Sequence, residues 1–408
     1  YVGRLGTAPL AGMALTLPMV MLTHMMSAGA MGGGVSSAIS RALGAGDVAR
    51  AQVLALHAVL IGLFAGIAFT VLFIGFGRAI YTLLGGRGAA LEQALAYSNV
   101  VFTGAVAIWL VNTLASVVRG TGNMLVPSAT LLVIAVVQIA VGGALGLGLG
   151  PIPRLGMAGV AVGQVAAFCL GLGILLWFLL SGRSRIRLAL RGAKLQRELF
   201  FDILKVGALA CLSPMQSVGT ILILTALVAR FGTDALAGYG IGARLEFLFI
   251  PLVFAVGVAC VPMIGMAIGA GEVARARRVA WTAGALTGGA LGIVGVVMMI
   301  APQLWAGLFT DEPAVAAAAE LYLRSASPGF AFFGLGLCLY FASQGAGQVL
   351  GPVLTATLRL VIVAVGGWWL LTTNAPVDAL FVLVGIAMTA YGLSTAAVVY
   401  WAKWGKGG

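Results

Sequence analysis

Long apolar runs follow one another along almost the whole sequence. A hydrocarbon core about 30 Å thick requires about 20 apolar residues in a helix that crosses it. Runs of this length, bounded by glycine, proline or charged residues, occur eleven times. They cover approximately residues 9–38, 52–76, 92–118, 124–149, 156–181, 203–231, 236–266, 277–309, 320–343, 349–374 and 378–402. The sequence therefore predicts an all-α polytopic membrane protein.

The composition excludes a soluble catalytic domain. Hydrophobic residues make up 61% of the 408 residues and charged residues only 8%, whereas soluble domains have about 45–50% and 25%. The longest polar stretch, residues 181–197, is too short to fold alone. Zinc-protease HExxH and nucleotide-binding GxxxxGKS or GxxxxGKT motifs are absent from the sequence. We therefore expect neither an enzyme nor an ATP-driven pump.

The net charge of +12 is distributed as a topology signal and not as a nucleic-acid-binding surface. Fifteen Lys and Arg residues fall on one side of the predicted spans and six on the other. The richer side is predicted to be cytoplasmic, in a bacterial-type inner membrane. It includes the segment 182–200, in which Leu188, Leu190 and Leu195 lie among arginines, as in a linker helix on the membrane surface.

An internal repeat organises the chain. GAGDVARAQ, starting at Gly44, matches GAGEVARAR, starting at Gly269, at seven of nine positions. At the same offset of 225 residues, RGTGNMLVP from Arg119 matches QGAGQVLGP from Gln344, and Tyr97 matches Tyr322. Upstream, GTAPLAG at residues 6–12 matches GTDALAG at residues 232–238, with an offset of 226. Three collinear matches indicate a duplicated unit.

The two copies are predicted to run parallel, because six spans separate Gly44 from Gly269. We expect an N-lobe at residues 1–181, a cytoplasmic linker at 182–202 and a C-lobe at 203–408. Transporters with parallel repeats bind substrate between two such lobes and alternate access by rocking them. The span 203–231 has no counterpart before residue 6, so we expect a missing first span and twelve spans in the parent protein.

Two lobes, each with a GAGD or GAGE loop after its second helix and an RGTGN-type turn after its fourth, resemble the multidrug and toxic compound extrusion (MATE) family. The resemblance covers the whole chain and implies a secondary exporter that exchanges amphipathic, usually cationic, small molecules for inward-moving H⁺ or Na⁺. It implies no cofactor other than that coupling ion, and a chain that works in the bilayer as a monomer. A flippase for lipid-linked saccharides, from the same exporter superfamily, is the alternative, and would require a strongly basic cavity.

Some members of the family carry characteristic carboxylates, and the corresponding positions of this sequence are not acidic. An Asn and Asp pair on the fifth helix would fall at Gln138 and Gly142. A Glu on the seventh helix and an Asp on the tenth would fall near Ser217 and Phe333. The acidic residue that many members carry on the first helix would lie in the missing span. The coupling site must therefore be sought among this chain's own residues.

Glu246 is the ion-coupling candidate. Ten of the eleven acidic residues fall in predicted loops or at span ends, whereas Glu246 lies about ten residues into the span 236–266. A charged side chain at this depth costs about 2.5–3.5 kcal/mol on insertion scales and is usually functional or paired. Gly238 and Gly242 place the carboxylate on a small-residue face, and Arg244 points about 200° away from it. Glu246 either binds the coupling ion or is salt-bridged to an arginine of another helix.

Other polar residues within spans are candidates for a substrate pathway, although the same side chains could equally join helices. His24, among methionines, is either a proton relay or a buried histidine bonded to a backbone carbonyl. His57 is expected near the membrane interface. The four cysteines lie in apolar runs without a CxxC motif, so no metal site is expected. The pathway candidates are His24, Asn112, Gln138, Gln164, Gln216, Ser217 and Arg244.

The charge distribution makes a direct prediction of topology. Single cysteines placed at Ser184 and Gly408, in a variant that lacks the four native cysteines, should resist an impermeant thiol reagent in intact cells, because both positions are predicted to be cytoplasmic. The measurement is labelling before and after the cells are permeabilised. Labelling of both positions from outside would contradict this topology.

Overall fold

The computed structural model describes residues 2–149, 151, 153–188 and 195–405. The first half of the chain contains eight α-helices within these ranges. They are α1 (Thr7–His24), α2 (Gly32–Gly44), α3 (Val48–Leu83), α4 (Gly88–Thr103), α5 (Ala105–Gly120), α6 (Leu125–Leu147), α7 (Gly156–Leu180) and α8 (Arg197–Ala210). A π-helical segment, Met25–Met31, joins α1 to α2.

The second half continues with eight more α-helices in the described residues. They are α9 (Leu212–Val228), α10 (Thr233–Gly269), α11 (Val273–Ile300), α12 (Gln303–Ala306), α13 (Pro313–Ala326), α14 (Phe330–Gly345), α15 (Leu350–Thr372) and α16 (Val377–Trp401). Short 3₁₀ turns at Val2–Leu5, Ala229–Phe231 and Ser327–Gly329 complete the list.

The predicted helical membrane architecture is confirmed. In the described part of the chain, ten helical stretches are long and apolar enough to span a bilayer, and the bent pair of α4 and α5 makes eleven. Several predicted boundaries are wrong by six residues or more, among them the end of the second span, predicted at residue 76 and observed at Leu83. The span predicted to reach residue 309 ends at Ile300, because Pro302 follows. The span predicted to begin at residue 320 begins at Pro313, so Glu320 lies inside α13 and not at a span end.

The chain divides into two compact units, residues 1–208 and 209–408. In the first, α6 packs along α7, α1 packs on α4, and α3 packs on α5. In the second, α15 packs on α16 and α9, α11 on α14, and α10 on α13 and α14. Helix α8 contains the end of the predicted linker 182–202. Residues 189–194 of that linker, including Leu190, and the tail position Gly408 lie outside the described residues.

The start of α8 is fastened to the first unit by charge and by a histidine. The Asp202 carboxylate accepts hydrogen bonds from Arg41 at 2.9 Å and from Arg50 at 3.1 Å. His57 is fully buried, and its Nε2 accepts a hydrogen bond from the backbone N–H of Gln196 at 2.9 Å. His57 therefore lies inside the first unit, near the start of α3, and its ring fixes the residue before α8.

The repeat is visible in the packing of both units. A side-chain carbon on Gly12 would meet the backbone of Ala94, and one on Gly238 would meet the backbone of Ala319. Gly238 follows Gly12 by 226 residues, and Ala319 follows Ala94 by 225 residues. The same close approach between two helices therefore occurs in each copy, with α1 on α4 and α10 on α13.

The offset changes from 226 to 225 between residues 12 and 44, and the structure shows where. The stretch Thr7–Gly44 has 38 residues, whereas α10, its counterpart, has 37. In the first copy the Gly32 N–H donates a hydrogen bond to the carbonyl of Ser27, five residues earlier in the chain. In an α-helix the N–H bonds to the carbonyl of the residue four positions earlier. The π-helical segment therefore absorbs one extra residue that the second copy lacks.

Two spans are interrupted at identifiable residues. Helices α4 and α5 bend by 51° around Gly104. Helices α8 and α9 are separated by Cys211, three residues before Pro214. Since Pro214 has no N–H to offer the Ala210 carbonyl, that carbonyl accepts a hydrogen bond from the Tyr340 hydroxyl at 3.0 Å instead.

Close packing of α6 on α7 predicts a position-specific sensitivity to substitution. A Cβ atom at Gly163 would overlap the backbone of Gly142, whereas one at Gly173, on the same helix, would meet nothing. Gly163→Val should destabilise the protein by about 1–3 kcal/mol or more, and Gly173→Val should be nearly neutral. Thermal unfolding in detergent, followed by tryptophan fluorescence, checks this. Equal melting temperatures for the two variants would contradict the packing.

Candidate functional site

Glycines on α10 determine what Glu246 faces. Gly238 leaves room for the backbone of α13 at Ala319, and Gly242 leaves room for the ring of Tyr322. Glu246 follows Gly242 by one helical turn on the same face. The small residues thus bring α10 and α13 together and place the carboxylate beside Tyr322.

Tyr322 is the direct partner of Glu246. Its hydroxyl donates a hydrogen bond to Oε1 of the partly buried carboxylate. The Tyr322 ring is 1% exposed and makes edge contacts with Tyr239 and Phe381, at centroid distances of 5.2 and 5.1 Å. The donor is therefore held in place by packing, and it stabilises the charged form of the carboxylate.

Arg359, on α15, is another charged residue within a span of the second unit. Its Nε is buried and has no hydrogen-bond partner in the described part of the chain. Its guanidinium lies 5.0 Å from the centre of the Phe333 ring. Among the described residues, no Lys, Arg or His nitrogen lies within 4.0 Å of the Glu246 carboxylate.

The corresponding tyrosine of the first unit has a neutral partner. The Tyr97 hydroxyl donates to Oε1 of Gln164, which is 2% exposed. At the offsets of the repeat, Glu246 corresponds to Val20 and Arg359 to Ile134. The second unit therefore carries a charged version of a tyrosine site that is uncharged in the first.

The pathway candidates of the first unit do not converge on one point. The Asn112 amide donates to the Ser27 hydroxyl at 2.8 Å, which joins α5 to the π-helical segment. His24 lies against the Phe168 ring at 5.4 Å. Gln164 serves Tyr97, and Gln138 lies half-buried on α6. In these places the polar side chains of Asn112 and Gln164 join helices.

The pathway candidates of the second unit have neighbours other than Glu246. Gln216 Nε2 donates to the Thr357 hydroxyl at 2.7 Å, two residues before Arg359, and Gln216 Oε1 is buried without a hydrogen-bond partner. Ser217 is half-buried. Arg244 is exposed and lies 5.1 Å from the Phe309 ring.

Sequence reasoning placed Glu246 within a span but missed its hydrogen-bond partner, Tyr322. Tyr322 was visible as the repeat counterpart of Tyr97. In the described residues, no group of three His, Cys, Asp or Glu side chains is placed to hold a metal ion. Glu246 and Tyr322 offer one carboxylate and one phenolic oxygen, which can bind a proton or a single monovalent cation.

Comparisons with known proteins agree with this architecture. The MatE family model matches residues 1–142 and 212–369. The chain is 24% identical over 278 residues to a FAD transporter of Shewanella oneidensis, a match of 68% of this chain and 61% of that relative. It is 24% identical over 365 residues to the multidrug export protein MepA of Staphylococcus saprophyticus, which covers 89% of this chain and 79% of MepA.

Solved structures show the same fold. A MOP superfamily transporter from Pyrococcus furiosus superposes with a TM-score of 0.89 and 22% identity, over 98% of this chain and 89% of that one. The Vibrio cholerae MATE transporter VcmN, in its bent form, gives a TM-score of 0.87 and 22% identity, over 98% and 90% of the two chains.

The Tyr322 hydrogen bond predicts a change in carboxylate reactivity. Dicyclohexylcarbodiimide modifies carboxyl groups that are protonated in apolar surroundings. Tyr322→Phe removes a donor that favours the charged form, so labelling of Glu246 at neutral pH should increase, as measured by peptide mass spectrometry. Tyr97→Phe, the matched change in the first unit, should leave it unaltered. Equal labelling in Tyr322→Phe and the unmodified protein would contradict the role of the donor.

Proposed function

The chain belongs to the MATE family of membrane transporters, and we propose that it is a secondary active exporter of amphipathic, cationic small molecules. Export would be driven by inward movement of H⁺ or Na⁺, with Glu246 as the residue that binds the coupling ion. Family membership supports transport across a bilayer, and the relative MepA, named a multidrug export protein, supports this substrate class.

The surroundings of the Glu246 carboxylate are the observation that supports the coupling role. Glu246 lies well inside α10, accepts a hydrogen bond from a packed tyrosine and has no basic nitrogen within 4.0 Å in the described residues. Glu320 also lies inside a span, but it pairs with Arg324 on its own helix at 3.8 Å. A carboxylate in a membrane interior without a fixed ion pair is the kind of group that ion pathways use.

Alternating access is the mechanism we propose for the whole chain. Parallel repeats give two lobes of similar fold, and exchange requires that the ion and the substrate are not released on the same side at once. A carboxylate that binds either an ion or a cationic substrate provides that linkage, because each binding event displaces the other. Glu246 would then couple the two flows by competition.

A flavin nucleotide is a second candidate substrate, because one relative is named a FAD transporter. The observation that favours it is Arg359, whose guanidinium is stacked on Phe333 near Tyr391. Aromatic rings and a guanidinium can hold an aromatic compound that carries phosphate groups. The transport assay therefore includes FAD beside an organic cation.

The decisive experiment uses everted membrane vesicles with imposed gradients. Uptake of ethidium, an aromatic cation, should be driven either by an inside-acid pH gradient or by an inside-high Na⁺ gradient. Imposing one gradient at a time shows which ion is coupled to transport. Glu246→Gln should lose gradient-driven uptake while equilibrium ethidium binding changes less, because the glutamine keeps the shape and the hydrogen bond but cannot titrate. It also recreates the Tyr97–Gln164 pairing of the first unit.

Glu320→Gln is the matched control, since it removes a carboxylate from the same unit and from the helix that carries Tyr322. It should transport like the unmodified protein. Driven uptake that survives in Glu246→Gln would show that Glu246 is structural. Accumulation of FAD but not ethidium would replace the cationic substrate class with the flavin nucleotide.

A further inference from the structure

The segment that follows α7 carries three exposed arginines. Residues 183–188 are neither helical nor part of a strand, unlike the linker helix that the sequence predicts, and exposed residues alternate along them with more buried ones. The exposed residues are Arg183, Arg185 and Arg187. Between and after them, Ile186 and Leu188 are only 1% and 7% exposed. These two buried side chains hold the segment on the protein, and the guanidinium groups are presented to the surroundings.

These arginines have no acidic partner in the described part of the chain. Residues 181–197 contain six Lys and Arg residues and no Asp or Glu, and no described carboxylate oxygen lies within 4.0 Å of the three guanidinium groups. By contrast, Arg41 and Arg50, on the same predicted side of the membrane, both bind Asp202. Arg277 donates to two backbone carbonyls at the end of α16. The three arginines are therefore placed to bind an anion from outside the chain.

The end of α7 sets the depth of these arginines in the bilayer. Trp177, in the last turn of α7, is 57% exposed, and the Arg183 guanidinium lies 4.8 Å from the centre of its ring. Tryptophan is enriched where membrane-spanning helices leave the hydrocarbon core. After Leu180 the chain turns at Gly182, which has a φ of 76°, and a side-chain carbon on Gly182 would meet the Arg187 guanidinium. Arg183 and Arg187 therefore both lie at the end of the span, at the level of lipid headgroups.

An exposed apolar stripe on α7 leads to the same end of the helix. Leu170, Trp177 and Leu180 are all exposed, and spacings of seven and three residues put them on one face. Gly173, on the same face, is exposed and has open space where a side chain would begin. From Leu170 to Leu180 the helix rises about 15 Å, which is half of a hydrocarbon core about 30 Å thick. The stripe is therefore as long as the acyl chains of one leaflet.

We propose that the end of α7 and the arginines after it bind an anionic phospholipid, with its phosphate on the guanidinium groups of Arg183 and Arg187 and its acyl chains along the exposed face of α7. The planar fork of a guanidinium matches two phosphate oxygens and can at the same time stack on an aromatic ring. Arg185 adds a positive charge that attracts the anionic headgroup. The site is separate from Glu246 and does not depend on the proposed ion coupling.

The test counts lipids bound to the purified full chain by native mass spectrometry. The delipidated protein in detergent is titrated with dioleoyl phosphatidylglycerol, which is anionic, or with dioleoyl phosphatidylcholine, which is zwitterionic. The first phosphatidylglycerol should bind more tightly than the first phosphatidylcholine. Arg183→Gln, Arg185→Gln and Arg187→Gln should each weaken phosphatidylglycerol binding about fivefold, and the triple variant should weaken it more than about tenfold, because each basic residue adds to the attraction of an anionic headgroup.

Two further variants separate this site from general surface charge. Arg154→Gln removes an exposed arginine at the opposite end of α7 and should leave the affinity for phosphatidylglycerol unchanged. Trp177→Leu keeps an apolar side chain on the stripe but removes the ring on which Arg183 is stacked. It should weaken phosphatidylglycerol binding about threefold.

Equal affinity for the two lipids, or unchanged phosphatidylglycerol binding in the triple glutamine variant, would overturn the proposal. An equal loss in Arg154→Gln would overturn it as well. Displacement of the lipid by inorganic phosphate or glycerol phosphate at the same concentration would show that the arginines bind free anions, which also contradicts a phospholipid site. If the triple variant does not fold, judged by thermal unfolding, the three single variants decide, since each changes one exposed side chain.

Discussion

The close approach of helix backbones is the interaction on which the rest of this structure depends. A helix inside a bilayer gains no hydrophobic energy from packing on another helix, so association relies on van der Waals contact between small residues. Gly12 and Gly238 place α1 on α4 and α10 on α13, and Gly163 places α7 on α6. The same kind of contact positions Glu246, the proposed coupling residue. Because Gly242 accommodates the Tyr322 ring, Glu246 faces a fixed hydroxyl and not lipid.

Duplication explains which features of the two units are shared and which are special. Both copies contain the glycine contact, the tyrosine and the GAGD or GAGE loop, in which Gly46 and Gly271 adopt positive φ angles of 79° and 78°. Asp47 accepts the Arg50 N–H at 2.8 Å, and Glu272 pairs with Arg275 at 3.0 Å. Within the described residues, the first copy alone has the π-helical insertion. The second copy has Glu246 and Arg359 at the positions where the first has Val20 and Ile134.

Much of the architecture could be predicted from the sequence, because hydropathy reports directly on a bilayer. Span number, the repeat and Glu246 followed from apolar length, residue identity and the depth of one charge. Contacts between distant helices could not be predicted in this way. Tyr322 is 76 residues from Glu246, and Arg359 carried no signal that separated it from Arg244. The hydrogen bond of His57 could not be predicted either, because its partner, the Gln196 N–H, is a backbone group that no side-chain pattern reveals.

The competition proposed for Glu246 would exchange one monovalent cation for another at a single carboxylate. Binding of one monovalent cation, whether an ion or a cationic substrate, adds one positive charge in either case. Two loaded states of equal charge have similar electrostatic energies in a low-dielectric interior, where unequal charge would be strongly penalised. Exchange then depends on size and shape more than on charge.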